Sequence, residues 1–279
     1  MQNLYSLEAK TLHIKLSNWV NEQASRGKVA FSARQAKDAF PNQSDIAFKR
    51  SLNRLSAKGS ILSIYKGYYL IITPQYASRG VLPPPMYLDG LMKFLGRPYY
   101  VGILNAAGFH GAAHQQPQEF FVFTTLPVLR ATQKRGIKVN YISKKEIPSG
   151  LLEDRKTESG YLKISSPELT AADLIQFEKR VGGLNRATTV LSELIEVIKP
   201  EKIDETFLKQ IPITCLQRLG FILEKVLNKR VIADHLYEMC KQYQLKFLHI
   251  PLKASSTSKD FPSDEKWKVI INTQIEIDE

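Results

Sequence analysis

The sequence is poor in cysteine: Cys215 and Cys240 are its only two in 279 residues. One pair of thiols gives neither a disulfide framework nor a metal-ligand spacing, so both are expected to be buried thiols of a protein in a reducing cytoplasm. Long apolar runs are missing too. Nothing approaches the roughly 20 residues that a membrane-spanning helix needs, and the opening M-Q-N-L-Y-S-L-E-A-K has no apolar signal core. A cytosolic protein without membrane contact is therefore expected. No glycine-rich phosphate loop is present, because Gly182-Gly183 lacks the preceding strand, the lysine and the spacing such a loop requires. No serine lies in a nucleophile elbow, and no segment repeats at a fixed period. With no convincing catalytic constellation, the expectation is a protein that is not an enzyme and carries no cofactor and no metal.

Negative charge is scarce in one region. The chain has a formal net charge of +12. Residues 1–80 hold 12 Lys/Arg against 4 Asp/Glu, while the remaining 199 hold 27 against 23. About a quarter of the chain thus carries two thirds of the excess, which points to a basic module for nucleic acid attached to a nearly neutral body. A solubilising surface is the plainer alternative. The 43% hydrophobic and 10% aromatic content permits well-packed cores and excludes global disorder.

The basic region has the pattern of a small folded module. Leu12, Leu16, Trp19 and Val20 form a helical stripe within Leu4–Ser25, ended by Arg26-Gly27. A short extended piece, Lys28–Phe31, leads to Ser32, which can cap a helix over Ala33–Phe40 that Pro41 terminates. Ser44 and Asp45 then offer side-chain oxygens to the free amides of another helix. Its apolar positions Phe48, Leu52 and Leu55 share one face, while Gln43, Lys49, Arg50, Asn53 and Arg54 do not belong to it. Lys58-Gly59 ends this helix. Two β-rich runs follow, Ile61–Tyr65 and Tyr68–Ile72, joined by a Lys66-Gly67 turn. Helix, strand, helix, helix and hairpin make the order of a winged helix-turn-helix.

This order predicts an α+β protein: an N-terminal winged helix-turn-helix domain over 1–78, a proline-rich linker over 79–86, and a larger mixed α/β C-terminal domain over 87–279. The Pro83-Pro84-Pro85 triplet is read as extended polyproline, with a helix over Tyr87–Leu95 after it. Strands are expected at Glu119–Thr125, Ile137–Ile142, Tyr161–Ser165, Phe247–Pro251 and Lys266–Ile277, and a basic turn at Arg130–Arg135. Ser166-Pro167-Glu168 starts a helix that runs over Leu169–Val181. Further helices are expected at Arg186–Ile198, Ile203–Gln210, Thr214–Leu227 and Val231–Tyr243.

The candidate DNA-binding residues are Arg34, Lys37, Gln43, Ser44, Lys49, Arg50, Asn53, Arg54 and Lys66. Arg and Lys suit phosphates and guanine edges, and Asn suits adenine. Gln43 and Ser44 stand at a helix N-terminus, where free amides favour an anion. Arg34, Lys37 and the wing-tip Lys66 are positioned to clamp phosphates. Two other patterns have the residue types of a metal or nuclease site. His110 and His114 have the four-residue spacing of a helical metal pair, but no third ligand is near, and packed histidines explain them better. Asp264-Glu265-Lys266 has the order of a metal-dependent nuclease triplet without a companion aspartate on a preceding strand. A nuclease-like or nucleotide-modifying enzyme targeted by the winged helix is the alternative function.

Several segments together resemble the AbiEi family of antitoxins from type IV toxin–antitoxin (abortive infection) systems. They are the N-terminal module Leu4–Ile72; Tyr99-Tyr100-Val101-Gly102 with Ala106-Ala107 and His110-Gly111, similar to a family helix; the passage Lys163-Ile164-Ser165-Ser166-Pro167-Glu168-Leu169-Thr170-Ala171-Ala172-Asp173-Leu174; Arg218-Leu219-Gly220-Phe221-Ile222-Leu223-Glu224; and Trp267-Lys268-Val269-Ile270-Ile271-Asn272. The resemblance implies a two-domain antitoxin and transcriptional autorepressor in phage defence. Its winged helix would bind double-stranded DNA at inverted repeats upstream of its own operon. Its C-terminal domain would counteract a nucleotidyltransferase-like toxin without a stable complex.

Overall fold

The computed structural model describes residues 15–112 and 119–277. Contacts divide the chain into two units, one ending at Phe94 and one running from Leu95 onward. Among the described residues are eleven α-helices and three sheets, a mixed α+β architecture. No helix of the described residues is long and apolar enough to cross a membrane.

The first unit runs α1 (Leu16–Ser25), β1 (Ala30–Ser32), α2 (Ala33–Asp38), α3 (Asp45–Ala57), β2 (Ile61–Tyr65), β3 (Tyr68–Ile71) and α4 (Pro84–Phe94). Local chemistry sets these limits. Ser32 opens α2 with a reciprocal cap: its hydroxyl accepts from the Gln35 amide at 3.1 Å, and its own amide donates to the Gln35 side chain at 2.8 Å. The Ser44 hydroxyl accepts from the Ala47 amide at 3.3 Å and so starts α3. Gly59, at φ +72°, lets the chain turn away after α3. The antiparallel sheet has the order β1-β3-β2. Leu16, Val20, Phe31, Ala36, Phe48, Leu52, Leu55, Ile61 and Ile71 form one apolar cluster. Trp19 meets Phe31 edge-on, and Phe31 stacks on Tyr69. Burying each large side chain of this set contributes about 1.5–3 kcal/mol.

The prolines behave differently from the polyproline expectation. Pro84 and Pro85 open α4 rather than standing in an extended stretch. In a first helical turn the missing N–H has no intrahelical partner to lose, so proline is tolerated there. α4 packs on β1 and β3, and Phe94 lies 5.1 Å from the Tyr68 ring, which is why it groups with the first unit.

The second unit holds a six-stranded sheet made of β4 (Tyr99–Val101), β5 (Glu119–Thr125), β6 (Thr132–Lys134), β7 (Ile137–Lys144), β8 (Leu152–Thr157) and β9 (Gly160–Ser165), in the order β6-β7-β5-β4-β9-β8. β5 and β7 run parallel, as do β4 and β9, and the other neighbours are antiparallel. The helices are α5 (Ile103–Phe109), α6 (Pro167–Gln176), α7 (Glu178–Val181), α8 (Leu184–Leu194), α9 (Glu205–Gln210), α10 (Ile213–Phe221) and α11 (Arg230–Gln242). A π-turn over Ile222–Val226 follows α10. α6 is central: every residue from Pro167 to Ile175 is buried. It packs against α5, α8, α10 and β9.

Several expectations for this unit are corrected. The small-residue segment after Tyr99 is a strand followed by α5, not a helix throughout. The basic turn at Arg130–Arg135 contains β6, and β8 was not expected. The helix expected over Leu169–Val181 breaks at Phe177 into α6 and α7. Of the long strand expected at Lys266–Ile277, only β12 (Val269–Ile270) pairs, flanked by β10 (Ile250–Pro251) and β11 (Ser263–Asp264). The Leu12 end of the first helix lies outside the described residues.

Candidate nucleic-acid interface

α3 buries Phe48, Leu52 and Leu55 and turns Ile46, Lys49, Arg50, Asn53, Arg54 and Ala57 outward. At 3.6 residues per turn, Ile46, Arg50, Asn53 and Ala57 form the middle of that outward face. Lys49 and Arg54 flank it on opposite sides. No ion pair holds Lys49, Arg50 or Arg54 among the described residues. Such a helix offers cations and an amide group along one side without neutralising them internally.

The other expected residues take distinct positions. Ser44 is exposed and serves as the α3 cap. Gln43 is half-buried, and its side-chain amide donates to the Ser51 hydroxyl at 3.3 Å, which turns it toward its own helix. Lys37 bridges α2 and α3: its ammonium group donates to the Gln43 carbonyl, pairs with Asp45 at 3.1 Å and lies 5.7 Å from the Phe48 ring centre. Lys37 therefore fixes the entry to α3, a duty that competes with clamping a phosphate. Arg34 and Lys66 are both exposed. The Ala33 amide donates to the Gly67 carbonyl at 2.8 Å, tying the α2 start, which carries Arg34, to the β2–β3 turn, which carries Lys66.

Ile46 stands on the same outward face and is not among the candidate residues read from the sequence. It is 68% exposed in the first turn of α3. The signal was available, since Ile46 falls outside the Phe48–Leu52–Leu55 stripe and four residues before Arg50.

The second unit contains a buried polar cluster that the sequence did not reveal. The Tyr100 hydroxyl donates to Asp173 at 2.8 Å, and Lys144 pairs with the other Asp173 oxygen at 3.2 Å. Tyr100 stacks on Phe123 with ring centres 4.6 Å apart, and the Lys144 ammonium lies 5.3 Å from both rings. Burial raises the Asp173 pKa, while Lys144 and the Tyr100 hydroxyl pull it back down. Burial, reinforced by Asp173, likewise pushes the Tyr100 hydroxyl well above its ordinary value. Gly102 is needed beside this stack because a Cβ there would meet the Phe123 ring.

His110 ends α5, and its Nε2–H donates to the Ser165 carbonyl at 2.7 Å, pinning that helix to the end of β9. Its expected metal companion, His114, lies outside the described residues. The Asp264-Glu265-Lys266 triplet does not converge on one point. Lys266 pairs with Glu224 at 2.6 Å and Asp234 at 2.7 Å, Asp264 accepts from the Trp267 amide at 2.7 Å, and Glu265 pairs with Lys268. The set anchors the C-terminal segment against the π-turn and α11. Glu224 also accepts from the Trp267 indole at 2.9 Å. Burial opposes its charge, but hydrogen bonds from Lys225, Lys266 and Trp267 prevail and hold its pKa at about 2. Among the described residues no group of three His, Cys, Asp or Glu side chains is arranged to hold a metal ion.

Residues 100–225 match the family model of the AbiEi antitoxin C-terminal domain. No curated protein matches the chain. Among solved structures, it is similar to the crystal structure of the RV2827C protein from Mycobacterium tuberculosis, at 14% identity and a TM-score of 0.65, over 91% of this chain and 90% of that one. At that identity the likeness is one of fold.

Proposed function

We propose, from the match of residues 100–225 to the AbiEi antitoxin C-terminal domain, that the chain is an antitoxin that represses its own operon by binding double-stranded DNA. The family supports the antitoxin role. The DNA-binding half of the reading rests on the outward face of α3, whose Lys49, Arg50 and Arg54 have no acidic partner among the described residues. The first unit is read as a winged helix, with α3 entering the major groove and β2–β3 as the wing. Arg50 and Asn53 face base edges, Lys49 and Arg54 reach phosphates on either side, and Arg34 and Lys66 clamp the flanking backbone. Occupation of inverted repeats at the promoter then blocks transcription.

In the cytoplasm, the second unit counteracts a nucleotidyltransferase-like toxin without forming a stable complex. Promoter DNA from upstream of the chain's own coding sequence tests the first half. The full chain is expected to shift this fragment in preference to an unrelated fragment of equal length. The logarithm of affinity should fall linearly with the logarithm of salt concentration as phosphate contacts release counterions. Equal affinity for both fragments would contradict operator recognition. Co-expression with a neighbouring nucleotidyltransferase-like gene tests the second half: growth should be restored without co-elution of the two proteins.

A further inference from the structure

The middle of the α3 outward face contains one apolar side chain of substantial size, Ile46, 68% exposed. It belongs to no part of the apolar cluster that α3 helps to build. Helix formation does not favour it, because a β-branched side chain loses χ1 freedom against the preceding turn. It stands one turn before Arg50 and two turns before Asn53, near the capped N-terminus of a 13-residue helix. In helix-turn-helix docking, the N-terminal residues of the recognition helix meet base edges. Among the groups that base pairs display in the major groove, the thymine C5 methyl is the apolar one.

We propose that Ile46 is a specificity-determining residue that packs on a thymine C5 methyl in the major groove. The operator then carries thymine at the base pair reached by the first turn of α3. The proposal rests on the DNA-binding reading above and adds a chemical requirement that general phosphate attraction lacks. Lys49 and Arg54 hold the helix in the groove, and Ile46 distinguishes a methylated pyrimidine edge from an unmethylated one. Removing the methyl costs the contact its apolar burial, about a fourfold loss of affinity for each methyl touched.

The test uses the full chain and the same promoter fragment amplified with either dTTP or dUTP, so that the second probe lacks every thymine methyl. Wild-type protein should bind the uracil fragment at least about fourfold more weakly. Ile46→Val, which keeps a branched apolar contact, should retain most of that preference. Ile46→Ala should lose it, binding both fragments nearly alike while melting at the wild-type temperature. The same methyl preference in wild type and Ile46→Ala would overturn the assignment, as would no preference in wild type. Both results would leave DNA binding standing. Failure of wild-type protein to bind either fragment would instead overturn the DNA-binding reading, and this inference with it.

Discussion

In the first unit the cations of α3 stand unpaired, whereas in the second unit lysine after lysine meets a carboxylate. Lys138 pairs with Glu119 at 2.8 Å, Lys163 with Asp154 at 3.0 Å, Lys144 with Asp173 at 3.2 Å and Lys266 with Glu224 at 2.6 Å. Lys49, Arg50 and Arg54 have no such partner among the described residues. Exposed pairs such as Lys138–Glu119 and Lys163–Asp154 contribute only about 0–1 kcal/mol each, so for them the contrast is not mainly one of stability. It is one of availability. Charges neutralised within a fold are closed to a polyanion, while like charges gathered on one helix repel each other until a polyanion arrives. On the proposed reading, the α3 cations Lys49, Arg50 and Arg54 are the ones open to DNA, while these four lysines of the second unit are taken up by carboxylates of their own fold.

The largest effect should come from breaking the internal charge of the second unit. Asp173→Ala would leave Lys144 and the Tyr100 hydroxyl without their shared acceptor. Removing one partner of a buried pair costs about 3–5 kcal/mol, and denaturant unfolding should show a loss of that size. Lys49→Ala, removing an unpaired surface cation, should stay within about 0.5 kcal/mol of wild type. Similar losses in the two variants would erase the contrast.

Gly220→Ala sharpens the second unit's side of the comparison. A Cβ there would run into the Trp267 indole, a fully buried ring with little room to yield. Overpacking of this kind costs about 1–3 kcal/mol, and near-ultraviolet circular dichroism should report the displaced tryptophan. The neighbouring Glu224 adds a pH dependence. Its folded pKa of about 2 lies below its ordinary 4.5, so the native state binds fewer protons than the unfolded chain in that range. The stabilisation is present above about pH 4.5 and is lost as pH falls toward 2. Glu224→Gln should flatten the unfolding midpoint across this window; an unchanged pH profile would mean that Glu224 is not the group responsible. A smaller loss belongs to the α3 cap. Ser44→Ala removes its cap and should cost about 1 kcal/mol, read as a lower melting temperature with the far-ultraviolet spectrum preserved.

The first unit was legible in the sequence almost element by element because its signals are local. Ser32 and Ser44 cap the helices they precede, Gly59 ends α3, and Lys66-Gly67 turns the hairpin where expected. The second unit was less legible because its structure depends on distant partners. α6 is buried on all sides and has no amphipathic stripe to read. β8 is built of Leu152-Glu153-Asp154-Arg155-Lys156-Thr157, a composition with no strand preference, and is held by pairing with β9. Tyr100, Lys144 and Asp173 come from β4, β7 and α6, so no spacing could have joined them. The Phe48–Leu52–Leu55 stripe fixed which side of α3 faces outward, while the tying of Lys37 to Asp45 required the fold.

Whether the unpaired α3 cations bind DNA is decided by the salt dependence of operator binding. Affinity of the full chain for its promoter fragment would be measured by fluorescence anisotropy across a salt series, for wild type and for Arg50→Ala combined with Arg54→Ala. If they do, the double variant keeps the wild-type melting temperature and loses operator affinity by at least about a hundredfold, with a shallower salt slope. Unchanged affinity and slope in a folded double variant would mean that they do not.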